Sequence, residues 1–78
     1  ANQQRLNVLV VDAEEATQLQ LKELLSERGY SVTCLGEALR APEEIRDNRF
    51  QLVILDVSPG SGGTEALAAI RGNDKDLA

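Results

Sequence analysis

Four consecutive apolar residues, Leu52-Val53-Ile54-Leu55, run directly into Asp56. At the centre of the segment Phe50 to Val57, they predict a strand with apolar side chains on both faces, and such a strand needs cover on both sides. Leu6 to Val11 behaves alike: it is short, rich in β-branched residues, interrupted only by Asn7, and it also ends in an aspartate, Asp12. Two strands of this kind cannot leave a sheet face in water. A parallel sheet clothed by helices on both faces is the architecture that satisfies them.

The segments between the strands fit that demand. From about Glu14 to Arg28 the pattern turns helical, with Leu21, Leu24 and Leu25 at i, i+3 and i+4, and Gly29 follows as a stop. Tyr30 to Leu35 is a second, weaker strand with Val32 and Cys34 on one face. A short second helix is expected to open at Pro42, which suits the first helical position, with Glu43 and Glu44 near the positive end of the helix dipole and Asn48 near its close. After Asp56 the stretch Ser58-Pro59-Gly60-Ser61-Gly62-Gly63 is turn-forming, and Thr64 leads into a third helix carrying Ala66, Leu67 and Ile70. From Gly72 onward the chain is polar and is expected to fray. The order is strand, helix, three times over, without internal repeat. If the first strand lies between the other two, right-handed crossovers put the first helix on one face and the second on the other.

Composition removes several functions. With 78 residues the chain is one domain at most, and its single cysteine and absence of histidine leave no disulfide and no zinc site to support it. Cys34 reads as a core residue of a reducing compartment. A net charge of −5, with Lys and Arg scattered singly, argues against nucleic acid or an anionic membrane as partner. No apolar run is long enough to cross a bilayer and the polar start lacks a signal-peptide core, so a cytoplasmic location is expected. Gly60, Gly62 and Gly63 are turn residues, not a phosphate loop, because no Lys-Ser/Thr follows them. Leu19 lies off the apolar stripe of the first helix and is expected to be exposed.

Paired acids remain. In an open parallel sheet ligands sit beyond the carboxyl ends of the strands where the winding reverses, here between the first and third strands. Asp12 ends one and Asp56 the other, and strands pair about 4.8 Å apart, close enough for two carboxylates to share a hard cation such as Mg²⁺. Asp12 has a plain alternative role as cap of the helix from Glu14. Asp56 has no such helix to cap, because a glycine-rich loop follows it.

Val8-Leu9-Val10-Val11-Asp12, the helix with Leu24-Leu25 running into Gly29-Tyr30, and Leu52-Val53-Ile54-Leu55-Asp56 together resemble the receiver domain of bacterial response regulators. Their joint order and spacing carry the resemblance, which covers about Leu6 to Arg71, and Pro59-Gly60 and Gly63 resemble the loop after the family's phosphorylated aspartate. The resemblance implies a flavodoxin-like, doubly wound parallel sheet with strand order 2-1-3, the first three of the five strand–helix units of a receiver. Residues 1–78 would form one partial receiver-like domain, ordered over about 6–71. It further implies a switch, not an enzyme: a histidine kinase or phosphotransfer protein passes a phosphoryl group to Asp56, and Mg²⁺ is held by Asp12, Asp56 and the backbone carbonyl of Ser58.

Two departures qualify that expectation. Receivers carry two adjacent acids after the first strand, and here the second position is Ala13, which cannot bind a cation; Glu14 is next but is expected to lie along the helix start. The loop after Asp56 is also one residue short before Pro59. These features favour the alternative of a degenerate receiver acting as a phosphorylation-independent interaction or dimerisation module. The family's switch Ser/Thr and its Lys belong to the fourth and fifth strands, beyond this sequence. The third strand would then be an apolar, unprotected edge, a pairing liability. The expectation is a sheet completed by the rest of its own chain or by a second copy. An independent enzyme would need a general base, further ligands or a phosphate cradle, none of which the residues supply.

Overall fold

The computed structural model describes residues 6–73. Three strands, β1 (Asn7–Val11), β2 (Ser31–Leu35) and β3 (Leu52–Leu55), form one parallel sheet in the order 2-1-3. Helix α1 (Glu15–Glu27) joins the first two, α2 (Ala41–Asp47) joins the second to the third, and α3 (Gly63–Asn73) follows β3. The expected fraying beyond Gly72 falls largely on residues outside those described.

Helix α1 stops as its sequence requires. Gly29 adopts φ +91°, its N–H donates to the Ser26 carbonyl at 3.0 Å, and the Tyr30 N–H reaches back to Leu25 at 3.1 Å. This is a Schellman closure, and glycine is the residue that takes the left-handed position without steric cost. Helix α2 begins at Ala41, one residue before Pro42, because a 3₁₀ turn at Ala38–Arg40 leads into it. That turn had no periodic signal of its own. Pro42 thus occupies the second helical position, still inside the first turn where a missing N–H costs nothing.

Strand alternation divides the core. Leu9 and Val11 face α2 and α3, where they are buried with Ala38, Ala41, Ala66 and Ile70 and flanked by Leu35, Ile45, Phe50, Val53 and Leu55. Val8 and Val10, equally buried, point to the α1 side, and their register partners Val32, Cys34, Leu52 and Ile54 share that side. Small residues on α2 and α3 let those helices approach the sheet and each other closely. On the α1 side packing is looser: the helix lies on β2 and β1, none of its residues is fully buried, and Leu24 is half exposed. Leu24 was expected in the buried stripe, but α1 leans toward β2, leaving the stripe's β3 side uncovered. Leu19 is exposed, as its place off the stripe implied.

Leu9 is the largest side chain with no solvent exposure, whereas Leu19 is 56% exposed. Leu9→Ala is expected to lower unfolding free energy by about 2–5 kcal/mol, and Leu19→Ala by less than about 0.5 kcal/mol. Urea denaturation of the two variants checks this; equal losses would contradict the placement of the core.

Candidate functional site at the strand ends

The pairing of β1 with β3 ends at Val11 opposite Leu55, so the next residue on each strand is an aspartate. Both are held by the backbone: the Asp12 N–H donates to Leu35 and the Asp56 N–H to Val11, each at 3.0 Å. Asp12 and Asp56 are therefore neighbours at one rim of the sheet, at the point where the winding reverses. Sequence reasoning brought these two residues together, and the register gives the reason.

Each carboxylate has a defined local partner. Asp12 Oδ1 accepts the Glu14 N–H at 2.9 Å, so Asp12 does tie down the start of α1. Asp56 Oδ1 accepts both the backbone N–H of Ser58, at 2.9 Å, and the Ser58 hydroxyl. These two bonds, the hydroxyl first, hold the Asp56 carboxyl below its ordinary pKa of 3.8, since they favour the charged form. Among the described residues nothing hydrogen-bonds Oδ2 of Asp56. One oxygen is anchored and the other is left open to a ligand.

The loop after Asp56 is built on a turn. Ser58-Pro59-Gly60-Ser61 closes through the Ser61 N–H to the Ser58 carbonyl at 3.0 Å, with Gly60 at φ +84° in the position where a type II turn calls for glycine. The Ser58 carbonyl, implied as a metal ligand, thus already accepts one bond and has one lone pair left. Gly63, buried at the start of α3, has a stricter reason to be glycine: a Cβ there would lie 1.9 Å from the Asp56 carbonyl oxygen. The first residue of α3 touches the peptide of Asp56.

Ala13 is exposed and offers no donor, and the Glu14 carboxylate accepts the Thr17 hydroxyl at 3.1 Å, which turns it along α1. Among the described residues no group of three His, Cys, Asp or Glu side chains could share an ion. Two carboxylates and a carbonyl nevertheless form an all-oxygen set of the kind Mg²⁺ accepts while keeping several waters. Two contacts had no sequence signal strong enough to single them out: Gln18, whose side-chain amide donates to the Asp12 carbonyl, and Ser61, whose hydroxyl donates to the Asp56 carbonyl. Only the turn-forming composition of the loop hinted at Ser61, whereas Gly63 was already marked by the resemblance of that loop to the family's. Cys34, half-buried, rests its thiol near the Gln18 carbonyl, in keeping with a packing role.

The fold is a flavodoxin-like α/β module that carries two neighbouring carboxylates, Asp12 and Asp56, at the rim where its strands end. The chain belongs to the response regulator receiver domain family, whose model matches residues 8–78. It is 36% identical over 73 residues to the response regulator MprA of Mycobacterium sp. strain KMS, an alignment covering 92% of this chain and 32% of that protein. The chain thus spans about a third of that relative's length. The response regulator TrrA of Thermotoga maritima, solved in complex with Mg²⁺-BeF, superimposes with a TM-score of 0.85 at 36% identity, over 92% of this chain and 64% of that one. TrrA in complex with the histidine kinase ThkA matches with a TM-score of 0.83 at 36% identity, over 92% and 63% of the two chains. Receiver domains of two-component signalling are accordingly what this chain shares its fold and family with.

A carboxyl whose pKa falls on folding stabilises the fold above its unfolded value, and that contribution is lost as pH drops through the folded value. The ¹³C titration of Asp56 is expected to show a midpoint below 3.8, and Ser58→Ala is expected to move it up toward that value. The variant should accordingly lose less stability on acidification through this window. An unmoved midpoint would show that Ser58 does not hold the carboxylate in solution.

Proposed function

We propose that this chain is the phosphoaccepting part of a two-component signalling protein, with Asp56 as nucleophile. One observation carries the reading: the strand register sets Asp56 beside Asp12, with Oδ1 of Asp56 anchored by Ser58 and Oδ2 without a hydrogen-bond partner among the described residues. The donor is a phosphohistidine on a histidine kinase or phosphotransfer protein. Oδ2 attacks phosphorus, the P–N bond to the imidazole breaks, and the imidazole leaves with the bonding pair and takes up a proton. The product is an acyl phosphate on Asp56. An exposed rim suits a donor presented by another protein, and the TrrA–ThkA complex offers a precedent in a relative.

Asp12, Asp56 and the free lone pair of the Ser58 carbonyl would hold Mg²⁺, which when bound neutralises the charge of the phosphoryl oxygens. An aspartate carboxyl is ionised throughout the physiological range, and the bonds from Ser58 favour that charged form. Once formed, the phosphoryl group adds negative charge and acceptor oxygens beside the β3–α3 loop, a sound physical basis for changing the surface that loop presents. We read residues 1–78 as one receiver-like unit, ordered over about 6–71, working in the cytoplasm. The outer edge of β3 is where the rest of the natural chain, or a second copy, pairs.

Ala13 and the short loop favour a second reading, an interaction or dimerisation module that works without phosphorylation. The two separate cleanly. The full natural chain and its Asp56→Asn variant, incubated with phosphoramidate and Mg²⁺ and followed by intact mass, are expected to differ by one phosphoryl group, gained by the parent alone. No gain in a folded parent, beside an active receiver phosphorylated in parallel, would favour the interaction module.

A further inference from the structure

The contacts around Asp56 close on themselves. From the carboxylate, Oδ1 is bonded by Ser58; the Ser58 carbonyl accepts the Ser61 N–H; and the Ser61 hydroxyl donates at 3.1 Å to the backbone carbonyl of Asp56. The same hydroxyl accepts the Gly63 N–H at 3.0 Å. A serine hydroxyl has one proton to give and two lone pairs, so both bonds are made at once. Ser61 therefore ties the peptide that follows Asp56 to the first residue of α3, where Gly63 already lies against that peptide.

We propose that Ser61 is a positioning residue for the phosphoacceptor: its hydroxyl, held between the Asp56 carbonyl and the Gly63 N–H, fixes how far the Asp56 carboxylate reaches into the crevice. This inference rests on the reading of Asp56 as phosphoacceptor. The reason lies in the geometry of the ring. The side chain of Asp56 is gripped at Oδ1 through Ser58, and Ser58 is itself fixed by the turn that Ser61 closes. Releasing Ser61 from the Asp56 carbonyl frees that peptide to rotate and carries the anchored oxygen with it. A serine that merely ordered the start of α3 would make the bond to Gly63 but would have no need of the one to Asp56.

The experiment compares the full natural chain with Ser61→Ala and Ser61→Thr, all folded by circular dichroism, and measures the rate of Asp56 phosphorylation by phosphoramidate with Mg²⁺. Losing a hydrogen bond that orients the nucleophile is expected to slow Ser61→Ala about fivefold, and Ser61→Thr, which keeps the hydroxyl, should return to within about twofold of the parent. A parent rate in Ser61→Ala, with only a lower melting temperature, overturns the proposal and leaves Ser61 as a helix-start residue. So does a Ser61→Thr variant as slow as Ser61→Ala. Should Ser61→Ala fail to fold, the amide ¹⁵N–¹H resonance of Gly63 in the parent decides: it is expected to shift when Asp56 is phosphorylated, and an unmoved resonance overturns the coupling. A parent that takes no phosphoryl group removes the functional reading itself, whereas a phosphorylated parent matched by Ser61→Ala removes only the role of Ser61.

Discussion

The parallel pairing of β1 with β3 is the interaction on which the rest depends. Val11 lies opposite Leu55, and because the side-chain period of a strand is two, a slip of one residue would turn every core side chain of β3 to the wrong face. The hydrophobic pattern that forbids this slip also fixes what comes next on each strand. Asp12 and Asp56 are brought level by the packing of Leu9, Val11, Val53 and Leu55, not by any attraction between the acids, which repel each other. Core and site share one constraint.

The two faces of the sheet bear unequal loads. On one, Ala38, Ala41, Ala66 and Ile70 close over Leu9 and Val11, and α3 is held near Asp56 by the Gly63 contact and the Ser61 hydroxyl. On the other, α1 covers β2 and β1 without a fully buried residue of its own. The better-packed face is thus the one joined to the loop after Asp56. A disturbance at Asp56 meets a tightly linked helix on that side. The family's relatives are longer than the stretch matched here, and the outer side of β3 pairs with no other strand among the described residues.

Strands and their aspartates were legible because a run such as Leu52 to Leu55 fits a strand of a parallel sheet covered by helices, and the residue after it must lie at the rim. The Gly29 stop was legible for a similar reason, being a local backbone requirement. Less could be read of the loop after Asp56. Its composition announced a turn, but which serine would hold the carboxylate and which the carbonyl depended on the path of the chain into α3. The 3₁₀ turn at Ala38–Arg40 and the exposure of Leu24 were hidden because both follow from how helices settle on the sheet, a tertiary matter that periodicity does not encode.

The acceptor site proposed at Asp56 depends on the in-register strand ends and has to work with Ala13 where the family carries an acid. The most direct test is ¹⁹F NMR of the full natural chain with beryllofluoride, a phosphoryl mimic that binds an acceptor carboxylate, titrated with Mg²⁺. A bound fluoride resonance that requires Mg²⁺ and vanishes in Asp56→Asn is the result expected from this geometry. Absence of any bound resonance from the folded parent, or one that persists unchanged in Asp56→Asn, would contradict it.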